Sequence, residues 1–244
     1  MNTSRTCRFA ATVLLAAVAT AAPAAAETIV LRSGQVGAFP GLPGQFDSNV
    51  TFGNTVPTGP LSASPFVAAD FNAAASNPSL CITPHSAWIP GLTFDPQARW
   101  IGTDFYPGTT LGASASTLHR IAFTVTTVGI TSASISMAWS ADDGLGDIVW
   151  GGANPIGAYL RDSFGNVTAL TPAAGGNFTI ESSIINYNIL GAITTGVNEL
   201  FFYQRDQGGA PSGLIFGAEL HIVPTPGVAA MLGLGGLATL RRRR

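Results

Sequence analysis

The sequence contains no lysine, so all eleven of its positive charges are arginines. Phosphate neutralisation needs a basic surface, and nucleic-acid binding has little to build on here. Charge of either sign is scarce at 10%, against 46% hydrophobic residues, a balance that argues against a disordered chain. Cysteine is nearly missing: Cys7 and Cys81 are the only two. No apolar run reaches the roughly 20 residues that a spanning helix needs. Between the two ends, apolar residues do not recur at helical spacing, and Gly or Pro interrupts almost every window of a dozen residues. The familiar catalytic patterns are lacking too: no His-Glu-x-x-His, Gly-x-Ser-x-Gly or Gly-x-x-x-x-Gly-Lys occurs. His85, His119 and His221 are scattered.

What is present begins at the ends. Arg5 and Arg8 precede an apolar run over residues 9–22, followed by Pro23 and the small residues Ala24, Ala25 and Ala26. A charged, apolar and then small-residue order predicts a secretory signal peptide over residues 1–26. Cleavage there removes Cys7 and leaves Cys81 alone, which excludes an internal disulfide in the mature chain. Burial as a small hydrophobe is the expected fate of Cys81.

At the other end, Pro224, Thr225, Pro226 and Gly227 lead into thirteen small or apolar residues, 228–240, capped by Arg241, Arg242, Arg243 and Arg244. Thirteen helical residues rise only about 20 Å, so this segment predicts a short membrane-seeking helix with a cytoplasmic positive stop. A plain tail anchor is the competing reading. The order of features resembles the PEP-CTERM sorting signal of exopolysaccharide-producing Gram-negative bacteria, with Thr225 standing where that family has Glu. The resemblance implies recognition by an exosortase-type membrane protease and a final place in the cell envelope, on the surface or in the extracellular matrix.

Between the ends lies a body of residues 27–223 carrying five arginines and all thirteen acids. Ile121, Phe123 and Val125 alternate with small or polar residues, as do Ala133, Ile135, Met137 and Trp139. Residues 148–150, 157–161, 178–181, 199–204 and 214–222 read as further strands, with Gly-rich turns between them. Many short strands without crossover helices predict an all-β fold, an antiparallel β-sandwich or jelly roll. Residues 28–31 and 49–52 could add strands, but the stretch up to Pro84 is rich in Gly and Pro, so the regular core is expected from about Ser86. The order of segments over residues 88–223 also resembles the galactose-binding-like sandwich found in exported PEP-CTERM proteins. In that family an acidic turn precedes a strand ending in Asn-Gly, where this chain has Trp150, Gly151 and Gly152.

Two sets of residues are candidates for chemistry. Asp142, Asp143 and Asp147 cluster around Gly144 and Gly146, an oxygen-rich bend suited to calcium, although Asp and Gly are equally what a tight turn selects. Trp88 and Trp150 lie beside turns and could stack on a sugar ring, with Arg161, Asp162, Arg205 and Asp206 as hydroxyl partners. Trp100 and Trp139 have apolar neighbours and are expected in the core. The sequons at Asn49, Asn166 and Asn177 mark expected exposed turns. The expectation is an exported, non-catalytic module with weak affinity for extracellular polysaccharide. A glycosidase with two convergent carboxylates and a purely structural surface protein are the rivals.

Overall fold

A computed structural model describes residues 25–225. The expected signal peptide up to Ala24, and the tail from Pro226 through the four terminal arginines, lie outside the described residues. The described residues form an antiparallel, nearly all-β fold, as the alternating segments predict. Its strands are β1 (Glu27–Arg32), β2 (Gln35–Val36), β3 (Phe39–Pro40), β4 (Phe46–Val56), β5 (Asn77–Cys81), β6 (Ile101–Gly102), β7 (Ser116–Val125), β8 (Ile130–Ala141), β9 (Ala158–Arg161), β10 (Val167–Ala169), β11 (Ser182–Asn188), β12 (Gly196–Gln204) and β13 (Leu214–Pro224). Among the described residues one six-residue helix, α1 (Ala68–Ala73), interrupts them.

Eleven strands form one continuous sheet in the order β10-β9-β12-β7-β4-β5-β6-β13-β8-β11, with β1 added to β13. The sheet curls so that its β12–β7 half lies over its β13–β8 half. Its inner faces follow from the period-two pattern. Ile121, Phe123 and Val125 of β7, Leu200 and Phe202 of β12, Ile135, Met137 and Trp139 of β8, and alternate residues of β13 from Leu214 to Ile222 all join one buried cluster. Short β5 and β6 carry the sheet around the bend through the pairs Leu80–Gly102 and Cys81–Ile101.

The outer faces are covered as well. Leu118, Phe201 and Tyr203 turn outward from β7 and β12 and pack under α1, against Phe71 and Ala74. Ala138 and Ile215 turn outward from β8 and β13 and pack against Trp88, Leu92, Ala98 and Trp100. The Gly- and Pro-rich stretches are therefore lids over the two sheet faces. This is why the central strands lack the polar outer face that a two-layer sandwich shows to water.

Three expectations need correction. The sheet begins at Glu27, not near Ser86, because β1, β4 and β5 are integral to it. Residues 148–150 form a tight turn instead of a strand, since the backbone N–H groups of Trp150, Gly151 and Gly152 all donate to the Asp147 carbonyl. Residues 178–181 are also a turn, held by Asn177 Oδ1, which accepts from the N–H and hydroxyl of Thr179. Hydrophobic runs of three or four residues carry no signal that separates strand from turn. The final strand includes Pro224, paired with Ile130, so the body extends one residue into the expected sorting segment. No helix among the described residues is long and apolar enough to cross a membrane.

Candidate functional site

β8 and β12 end, and β13 begins, at the same end of the sandwich. The loops 142–157 and 205–213 meet there and are stitched together. The Arg205 N–H donates to the Gly144 carbonyl at 3.0 Å, the Gly146 N–H to that of Tyr203 at 2.9 Å, and the Gln207 N–H to Asp143 Oδ2 at 2.7 Å. The bend demands left-handed backbone: Asp143 has φ 61° and Gly144 φ 107°. Asp tolerates that region, and glycine adopts it freely.

These loops enclose an open cleft of about 240 Å³ whose walls include His85, Trp88, Asp142, Asp143, Phe178 and Gly209. Trp88 is 7% exposed and packs against Trp100 at 4.4 Å between centroids, so only the rim of its indole is presented. His85 approaches it at 6.2 Å, and the turn between them is closed by the Trp88 N–H on the His85 carbonyl at 2.9 Å. The Ala87 N–H donates to His85 Nδ1, which leaves the proton of the neutral ring on Nε2. Burial, aided by the negative charges of Asp143 and Asp206, pushes the Asp142 carboxyl up to about 7. Burial also raises Asp143, though less, because the Gln207 N–H and the Arg205 charge favour its ionised form. One carboxyl that keeps its proton near neutral pH thus adjoins one that gives it up more readily.

Asp147 leaves this group. It is fully buried, and its Oδ1 accepts from the Tyr203 hydroxyl at 2.9 Å and from Arg205 Nη1 at 2.5 Å. Its Oδ2 accepts from the Asn154 N–H at 3.2 Å. The expected calcium triplet of Asp142, Asp143 and Asp147 is therefore split, with Asp147 committed to Arg205. Among the described residues no group of three or more His, Cys, Asp and Glu side chains is arranged to hold a metal ion.

The aromatic and arginine candidates divide three ways. Trp88 lines the cleft. Trp150 lies under the Arg205 guanidinium at 5.1 Å, a cation–π contact beside the buried ion pair. Arg205 itself is buried, with its Nε lacking a partner, so it is no surface hydroxyl donor. Arg161 sits elsewhere, bonded to Glu199 and to Asn72, over the ring of Phe201. Trp100 and Trp139 are in the core, as expected.

His85 was not marked by the sequence as a ligand-site residue; its three-residue spacing from Trp88 was the available signal. Asp206, expected as a hydroxyl partner beside Arg205, lies near Asp142, a position that depends on β8 and β12 ending together. His119 and His221 take no part. His119 is buried between Ser79 and Gln204, and His221 lies exposed on β13. No protein-family model matches the chain, and neither a curated protein nor a solved structure shows significant similarity to it.

Proposed function

We propose that this chain is an exported, non-catalytic β-sandwich protein of the cell surface or exopolysaccharide matrix, sorted through its PEP-CTERM-like tail by an exosortase-type protease, and that the loop-end cleft weakly binds a saccharide. The observation that carries the binding reading is the meeting of Trp88, His85, Asp142 and Asp143 in one open cleft. An indole rim offers a surface for the C–H face of a sugar ring, while imidazole and carboxyl groups exchange hydrogen bonds with its hydroxyls. At about 240 Å³ the cleft falls below the usual size of an enclosed ligand pocket, which suits a single ring or chain end and modest affinity. Any calcium bound here would use Asp142 and Asp143 with the sugar's own oxygens, without Asp147.

A second reading has its own support. A carboxyl raised to about 7 beside a more acidic one is the asymmetry that acid–base catalysis uses, and glycoside hydrolysis needs two such groups. A glycan array run alongside a hydrolysis screen separates the readings. Binding without turnover, weakened by His85→Ala and Asp143→Asn, supports the module; turnover abolished by Asp142→Asn establishes the enzyme. Two blank assays leave a purely structural surface protein. For sorting, mass spectrometry of the mature protein is decisive: processing removes Arg241 to Arg244, whereas a plain tail anchor retains them.

A further inference from the structure

Opposite the cleft, the other end of the sandwich carries a different surface. β7 ends and β8 begins there, β9 turns into β10, β11 turns into β12, and β13 finishes beside the start of β1. The loop tips bear large apolar side chains in water: Phe164 is 81% exposed, Val128 74% and Leu190 49%. Between them lies a shallow apolar groove of about 480 Å³ whose walls include Ile130, Phe164, Leu190 and Ile193. Hydrogen bonds hold the tips in place. Ser163 Oγ pairs with Thr194 Oγ1 at 2.8 Å, Thr195 Oγ1 donates to the Thr127 carbonyl at 2.6 Å, and Glu27 accepts from both Thr126 and Thr127. Residues 126–131, 162–166 and 189–195 include no arginine and only one acid, Asp162. Asp162 accepts from the Phe164 and Asn166 N–H groups and from the Asn166 side chain.

We infer that this apolar crown is a membrane-contact surface that seats in the headgroup and acyl boundary of a lipid bilayer. The inference rests on the proposed membrane engagement of the tail. The body ends at Pro224 on this same face, and only Thr225, Pro226 and Gly227 separate it from thirteen small or apolar residues. Three extended residues reach about 10 Å, so a tail that enters the bilayer holds this end against the lipid. A patch of exposed Phe, Leu, Ile and Val with pinned loops and no basic residue suits insertion by apolar burial, without anionic lipid.

All four tryptophans provide an internal control because they belong to the opposite half. Trp139 stands nine residues along β8 from Ile130, about 30 Å away at strand rise. The test uses the full chain, wild type and Phe164→Trp, with phosphatidylcholine vesicles whose acyl chains are plain or brominated. Both proteins should sediment with vesicles. Brominated lipid should cut the emission added by Phe164→Trp about twofold or more, while native emission holds. Leu190→Trp should repeat the result. Sedimentation with equal emission in both lipids overturns the crown contact and leaves tail engagement standing. Failure to sediment overturns both. A lipid-free dimer dissolved by Phe164→Asp would assign the surface to a second copy and overturn the inference.

Discussion

The rings of Phe202 and Phe216 stack at 4.2 Å with 25° between their planes. Phe202 belongs to β12 and Phe216 to β13, which are five places apart in the sheet order and share no backbone hydrogen bonds. Their contact is made only when the sheet has curled over on itself. Phe202→Ala and Phe216→Ala should each cost about 3–5 kcal/mol in urea unfolding, and a double-mutant cycle should return about 0.5–1.5 kcal/mol of coupling. Independent effects would mean that the two halves are held together elsewhere.

The Asp147–Arg205 pair is buried, so its members are costly to separate. Asp147→Ala should destabilise the fold by about 3–5 kcal/mol, because it leaves the guanidinium uncompensated, while Asp147→Leu with Arg205→Met should recover much of that loss. Chemical denaturation of the single and double variants reads the difference.

Asp142 and His119 give stability opposite slopes with pH. The raised Asp142 carboxyl binds its proton more tightly in the folded state, so its contribution is complete below pH about 4 and fades as pH rises through about 7. Burial lowers His119 to about 4 against a small opposing effect from Gln204, so its contribution is complete above pH about 6.5 and fades as pH falls. Asp142→Asn should raise the melting temperature at pH 7 to 8, leave it unchanged near pH 3.5, and steepen the loss of stability on acidification. Melting curves across that range would expose a wrong sign directly.

Gly112 lies where a Cβ would run into the carbonyl oxygen of Ser212, and the Ser212 N–H donates to the Gly112 carbonyl at 3.0 Å. Gly112→Ala should therefore push away the 208–211 wall of the cleft without touching a lining residue, at a cost of about 1–3 kcal/mol. Saccharide binding measured on this variant should weaken even where the protein remains folded.

Much of the architecture could be read from the chain. Period-two alternation located β7, β8, β12 and β13, because each has one face in the main core. β5, β6, β10 and β11 carried no such alternation: two pairs suffice to hold β5 against β6, and β11 is broken by a bulge between Ile184 and Tyr187. The long loops were visible as Gly- and Pro-rich stretches, but their task of roofing Tyr203 and Trp100 depends on which outward residues need cover. At the site, the acidic bend and Trp88 stood out by composition. Their convergence with His85, and the diversion of Asp147 to Arg205, come from strand ends that meet only after the sheet closes.

β1 and β13 lie side by side and antiparallel, with Glu27 opposite Ile222, so the body starts and finishes at one corner. Tension applied between those two points loads their shared ladder one rung at a time, like a zip drawn from its open end, and does not shear the whole strand at once. A molecule tethered by that corner through both chain ends would yield mechanically at β1 first, while the stacked Phe202 and Phe216 rings stayed closed.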